Sequence, residues 1–260
     1  MEEQGPAPVI TIKGLNKFYD TRQVLKNINL DVFAGQVIGY IGPNGAGKST
    51  TVKVLTGLIS DYQGDVYING KLLKENVQEI KSLIGYVPEN AELYDVLTPV
   101  EYLDFVGKLY SMEEANILER ATKLLRAFGI EANANQRMDT FSKGMKQKVL
   151  LISGIIHNPE IIILDEPLSG LDANAVIMVK ELISLLSKEG KTIFYCSHMM
   201  DVVEKVSDRI LLINNGQIVA DGSFDELKQH HGATLEKIFA RLTGKEENSH
   251  EAEDILKALS

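Results

Sequence analysis

The stretch Gly42-Pro43-Asn44-Gly45-Ala46-Gly47-Lys48-Ser49-Thr50 follows the apolar run Val37-Ile38-Gly39-Tyr40-Ile41. Gly42, Gly47, Lys48 and Ser49 satisfy the pattern G-x-x-x-x-G-K-S/T, in which glycines let backbone N–H groups turn inward around a β-phosphate. Lys48 would bridge the β- and γ-phosphates as a point charge. Ser49 would ligate Mg²⁺ through its hydroxyl, and Thr50 would add a hydrogen bond to phosphate. A merely structural glycine turn is the alternative, and the strand before the loop and the helix after it argue against that.

Such a site needs an acid at the tip of a buried strand. Ile161-Ile162-Ile163-Leu164-Asp165-Glu166 supplies it, with a second carboxylate adjacent. Asp165 would hold Mg²⁺ through its water shell, and Glu166 would polarise the attacking water as general base. A solvated acidic strand end is the alternative, but the aliphatic run and the phosphate loop together favour chemistry. The base of the nucleotide is left open by these residues. Asn16-Lys17-Phe18-Tyr19-Asp20 misses the guanine-reading Asn-Lys-x-Asp spacing by one residue and lies upstream of the phosphate loop, a coincidence. Tyr19 is either a plate for adenine or an ordinary strand-end aromatic.

These groups must be carried by an alternation of strands and helices. Val9–Leu15, Asn29–Phe33 and Val37–Ile41 have strand patterns, and a helix is predicted from Lys48 to about Gly57, which suits the left-handed position after a helix. Asp65–Ile68 with Asn69-Gly70, and Arg209–Ile213 with Asn215-Gly216 and Gln217–Ala220, predict hairpins, because Asn and Gly tolerate positive φ. From Thr98 to about Phe128 the chain is helical, with helix starts predicted at Thr98-Pro99-Val100-Glu101 and at Ser111-Met112-Glu113-Glu114. This helical segment lies between strands at Ile84–Val87 and Ile161–Leu164. A helix over 173–189 buries Val176, Val179, Leu182, Ile183 and Leu186, and the strand Thr192–Cys196 follows it. A short capped helix starts at Ser223. The fold class is therefore α/β with a mostly parallel sheet. The compact domain spans 1–242, Thr243–Ser249 is a polar linker, and Ala252, Ile255, Leu256 and Leu259 fall at helical spacing behind a candidate Asn248 cap with Glu251, either a small docking helix or a frayed tail.

The chain has 260 residues, 44% hydrophobic and 24% charged, with one cysteine and a net charge of −9. No apolar run is long enough to span a bilayer. The acidic start Met-Glu-Glu-Gln-Gly lacks the regions of a secretory signal, so the protein is expected in the cytoplasm. Cys196 is expected as a small buried hydrophobe, since a single cysteine builds no disulfide framework. The negative charge disfavours a surface for nucleic acid.

Phe141-Ser142-Lys143-Gly144-Met145-Lys146-Gln147-Lys148 resembles the signature loop of ABC transporter ATP-binding subunits. Ser169-Gly170-Leu171-Asp172 is similar to that family's D-loop, His198 to its switch histidine, and Tyr19 stands where the family stacks adenine. The motifs run in the family's order from about residue 9 to 220. The resemblance implies a P-loop NTPase (RecA-like) core, an antiparallel β subdomain and an inserted helical subdomain over about 98–158. It also implies ATP and Mg²⁺, hydrolysis coupled to transport, and two such subunits, taken as two copies of this chain, meeting head to tail. Ser142, Gly144 and Asp172 are then implied to serve ATP, the first two in trans, and His198 to contact the γ-phosphate. Phe141, Lys143 and Met145 depart from the usual Leu-Ser-Gly-Gly-Gln, and Glu89 replaces the usual glutamine as an oxygen donor toward Mg²⁺ or water. Pro-Glu with Ser-Lys-Gly-Met is similar to the ABC-2 type subfamily, mostly bacterial exporters. That implies a membrane-spanning permease partner, a place on the cytoplasmic face of the cell membrane, and Leu93, Tyr94, Val96 and Leu97 as permease contacts or core residues. A soluble relative acting on ribosomes or nucleic acid is the alternative; such proteins carry two ATP-binding domains or a long coiled coil, and this sequence has neither.

Overall fold

Four apolar runs alternate side chains strictly between two cores, and this alternation builds the molecule. A computed structural model describes residues 6–89, 93–231, 234–244 and 258–259. The first part contains β1 (Ile10–Tyr19), β2 (Arg22–Val32), β3 (Val37–Ile41), α1 (Lys48–Leu55), β4 (Gln63–Ile68), β5 (Lys71–Leu72), α2 (Val77–Leu83) and β6 (Ile84–Val87). Three helices follow, α3 (Pro99–Leu109), α4 (Glu114–Ala127) and α5 (Lys143–Ile155). The last part holds β7 (Ile161–Asp165), α6 (Ala173–Lys188), β8 (Thr192–Cys196), α7 (Met200–Val206), β9 (Arg209–Asn214), β10 (Gln217–Gly222), α8 (Phe224–His231) and α9 (Leu235–Leu242).

A six-stranded sheet of order β10-β9-β3-β8-β7-β6 is parallel except for the β9–β10 hairpin at its edge. Ile38, Tyr40, Ile161, Ile163, Phe194, Cys196, Leu211 and Ile213 face one core, shared with α1 and with an antiparallel sheet of order β2-β1-β4-β5. Their chain neighbours Val37, Ile41, Ile162, Leu164, Ile193, Tyr195, Ile210 and Leu212 face the other core, under α3 to α7 and α9. A strand buried on both faces needs side chains of both parities apolar, which is why these runs are unbroken. Cys196 is fully buried among them, as expected.

Several local expectations hold. Thr98 and Glu101 form both bonds of a capping box at α3, and Asn69-Gly70 and Asn215-Gly216 turn their hairpins with positive φ. On α6, Val179 and Ile183 are buried while Val176, Leu182 and Leu186 pack against them. Leu93 and Leu97 pack on the core, whereas Tyr94 is 61% exposed and stands edge-on to Phe105.

Two expectations are corrected. Ser111 does not cap α4, which starts after Glu113; it sits at φ 56 and closes α3, with Ser111 N–H bonded to Lys108 O and Met112 N–H to Gly107 O. These are the two bonds of a Schellman turn, so Ser111 serves the helix before it. The first two strands are also longer than predicted and meet in a hairpin at Asp20-Thr21, with Asp20 at φ 51. The helix expected over 252–259 lies outside the described residues except Ala258 and Leu259. Among the described residues no helix is long and apolar enough to cross a membrane.

Candidate functional site

Parallel strands bring their carboxyl ends to one edge of the sheet, and the loops leaving β3, β6, β7 and β8 meet there. This is where open α/β sheets place their ligands. They line a cleft of about 560 Å³ bounded by Tyr19, Arg22 and Val24 from the β1–β2 hairpin, by Asn44, Gly45, Gly47, Lys48, Ser49 and Thr50, and by Glu89, Asp165, Glu166 and His198.

The loop from Gly42 to Gly47 enters α1 with Gly45 at φ 78 and Gly47 at φ 117, conformations that a side chain would strain. A Cβ on Gly42 would lie 2.3 Å from the carbonyl oxygen of Ile213, so only glycine fits against β9. The loop is braced from behind: Gly216 N–H donates to Ala46 O at 3.0 Å, and Lys26 N–H donates to Gly216 O at 2.8 Å. Lys48 Nζ donates to Gly42 O at 2.6 Å and to Pro43 O at 3.3 Å, which holds the ammonium over the mouth of the loop. Pro43 and Ala46 shape the loop without lining the cleft. The α1 N-terminus has no side-chain cap and no acid in its first turn, so its N–H groups are available to an anion.

Asp165 ends β7 only 4% exposed. Burial, and then the charges of Glu89 and Glu166, push its carboxyl up to about 6 against the pull of Lys48 and a hydrogen bond from Ser49. Glu166 follows at φ 49, a left-handed backbone that costs a non-glycine residue roughly 1–2 kcal/mol. It is held there by Glu166 N–H to Cys196 O at 2.9 Å and by Ser169 N–H to Glu166 O at 3.2 Å. Its carboxylate is fixed as well: Ser197 Oγ donates to Oε2 at 3.0 Å, and His198 Nδ1 lies 2.9 Å from Oε1. A carboxylate aimed by two neighbours beside a phosphate loop can orient and deprotonate water.

Tyr19 is 44% exposed at the rim, with the Lys17 ammonium 4.6 Å from its ring centroid. Lys17 itself is buried and bonded to Asp61, which places it outside the cleft and agrees with the coincidence expected for the Asn-Lys motif.

Three expected residues are not brought to this cleft within the chain. Ser142 caps α5 by accepting from Met145 N–H at 3.3 Å and is exposed. Gly144 abuts the carbonyl oxygen of Gly170, which a Cβ would approach to 2.7 Å. Asp172 caps α6 by accepting from Ala175 N–H at 2.9 Å. Sequence reasoning missed Arg22 and Val24, which belong to the unpredicted hairpin, and Ser197, whose only signal was its place beside His198.

A glycine loop wrapped on a helix N-terminus, with an Asp-Glu pair at the end of a nearby parallel strand, defines a P-loop NTPase. Residues 25–169 match the family model described as ABC transporter. The chain is 33% identical over 246 residues to EcsA, an ABC-type transporter ATP-binding protein of Bacillus subtilis, covering 94% of this chain and 99% of that one. It is 33% identical over 219 residues to the linearmycin resistance ATP-binding protein LnrL of the same organism, covering 84% of this chain and 70% of that one. A solved dimeric ATP-binding cassette in a post-hydrolysis state, bound to ADP and Pi, matches with a TM-score of 0.76 and 26% identity, over 82% of this chain and 98% of that one. The chain therefore belongs to the ABC transporter family, as an ATP-binding subunit of the ABC-2 type. It is an ATPase.

Proposed function

We propose that the chain is the motor of an exporter: two copies close head to tail around ATP, and a separate membrane-spanning permease at the cytoplasmic face turns that closure into substrate movement. The observation that carries this reading is the separation of Ser142 and Gly144 from their own chain's cleft. The N-terminus of α5 has no acid in its first turn and ends on an exposed hydroxyl, which suits a γ-phosphate presented by another subunit. The dimeric cassette it resembles supports pairing, and its likeness to LnrL, a linearmycin resistance protein, supports export.

In this reading Tyr19 stacks adenine, and the backbone N–H groups of 42–47, Lys48 and Thr50 bind the phosphates. Glu166 takes a proton from water, His198 aligns Glu166 and meets the γ-phosphate, and Asp172 contributes from the second subunit. Mg²⁺ fits the donor set, because a buried carboxylate with a serine hydroxyl and two further carboxylates nearby offers only hard oxygen atoms. Ser49, Asp165 and Glu89 would hold it, and when bound it neutralises charge on the β- and γ-phosphates.

The test mixes two inactive chains, Lys48→Ala and Ser142→Arg. If ATP lies between subunits, a mixed pair keeps one intact site, and a one-to-one mixture regains about a quarter of the wild-type sites by random pairing. A mixture shown by native mass measurement to contain mixed pairs, yet with neither ATP hydrolysis nor nucleotide retained by those pairs, would refute binding in trans.

A further inference from the structure

One face of α5 grips the loop that follows β7. Residues 143, 144, 147 and 148 share that face by helical spacing. Lys143 Nζ donates to Ser169 Oγ at 2.9 Å, and Gln147, 6% exposed, donates through Nε2 to Pro167 O at 3.0 Å. Gly144 lies against Gly170, whose own missing Cβ would come 3.0 Å from the Lys143 side chain. The gripped loop begins at Glu166, whose carbonyl accepts from the N–H of the same Ser169 that Lys143 holds. A continuous chain of contacts thus runs from the start of α5, next to Ser142, to the left-handed backbone of the carboxylate.

We propose that Lys143 and Gln147 are positioning residues for hydrolysis: they clamp loop 166–172 onto α5 and thereby fix the aim of Glu166 in their own chain. This rests on the assignment of Glu166 as base made above. The lysine is one of the residues that depart from the usual signature, so the clamp uses a side chain that the usual glycine there would not supply. Because Ser142 is assigned to the other subunit's ATP, the clamp also ties occupancy of one site to the geometry of the base in the other.

The full-length chain is tested as Lys143→Met, Ser169→Ala, their double variant and Lys143→Arg, with Glu166→Gln as reference. Lys143→Met and Ser169→Ala should each lower kcat on the order of tenfold, with KM for ATP within about twofold, since a misplaced base slows chemistry without weakening binding. The double variant should be no worse than either single one, because both cut the same bond. Lys143→Arg should restore most of kcat. Amide hydrogen exchange across 166–172 should quicken in the Met variant and return to the wild-type rate in the Arg variant. Wild-type exchange and wild-type kcat in Lys143→Met overturn the clamp. So does a silent Ser169→Ala beside a damaged Lys143→Met, the result expected if the lysine served the partner's phosphate instead. Should Glu166→Gln keep full turnover, the base assignment fails, and the exchange measurement still decides whether the clamp exists. If Lys143→Met does not fold, Ser169→Ala removes the same hydrogen bond from the loop side.

Discussion

Replacing Asp165 by asparagine should make the nucleotide-free chain more stable, by an amount that grows with pH. Burial and the nearby Glu89 and Glu166 charges raise this carboxyl from an ordinary 3.8 to about 6. The folded chain therefore binds the proton more tightly than the unfolded chain. Stability from this group is greatest below about pH 4, falls as pH rises through about 6, and levels off above it. At 1.36 kcal/mol per pH unit of difference, the ionised carboxylate costs about 3 kcal/mol at pH 7.5 and roughly half of that at pH 5. Asparagine keeps an oxygen for the Ser49 hydroxyl and removes the charge. The expected gain at pH 7.5 is roughly 5–10 °C in Tm for a chain of this size, shrinking toward pH 5. Thermal unfolding of both chains, without nucleotide or magnesium, measures it across that range. Adding Mg-ATP should then stabilise the wild type far more than the variant, because the carboxylate is proposed to serve the bound ion. A variant no more stable than wild type at pH 7.5, or equally stabilised at pH 5, would refute the reasoning.

Glu166→Gln should lower kcat about 10²–10⁴-fold, the usual contribution of a general base, while ATP affinity stays within about twofold; steady-state hydrolysis alongside nucleotide titration checks this, and wild-type turnover would overturn the assignment. Tyr19→Ala should weaken ATP binding by about 1–3 kcal/mol, the worth of stacking a base on an aromatic ring, measured by calorimetric titration, with unchanged affinity counting against a stacked adenine.

Much of this architecture is legible in the sequence wherever one local rule decides. The apolar runs at 37–41 and 161–164 announce strands buried on both faces, and the candidate site residues follow where each run ends. Thr98 and Glu101 carry their geometry in their side chains, and the two Asn-Gly pairs in their tolerance of positive φ. The β1–β2 hairpin escaped because its register shifts between Ile12 and Leu15, between Leu15 and Lys17, and between Lys17 and Phe18. Each shift breaks the period of two by which strands are recognised, and Arg22 and Val24 were lost with it. Ser111 misled because the same hydroxyl residue can open one helix or, at positive φ, close another. Lys143 and Ser197 donate hydrogen bonds to residues 26 and 31 positions away, and such pairings exist only once the sheet is assembled.

The turn at Asn215-Gly216 sets an order on the making of this protein. Its glycine bonds both to Ala46 in the phosphate loop and to Lys26 behind it, and β9 lies so close that Gly42 admits no side chain. A growing chain on the ribosome holds Lys48, the α5 signature, Asp165, Glu166 and His198 before that turn has been synthesised. Every residue proposed for the reaction is therefore present, in sequence, in a nascent chain whose phosphate loop still lacks its brace. The brace forms only when that late hairpin folds back onto the segment made earlier.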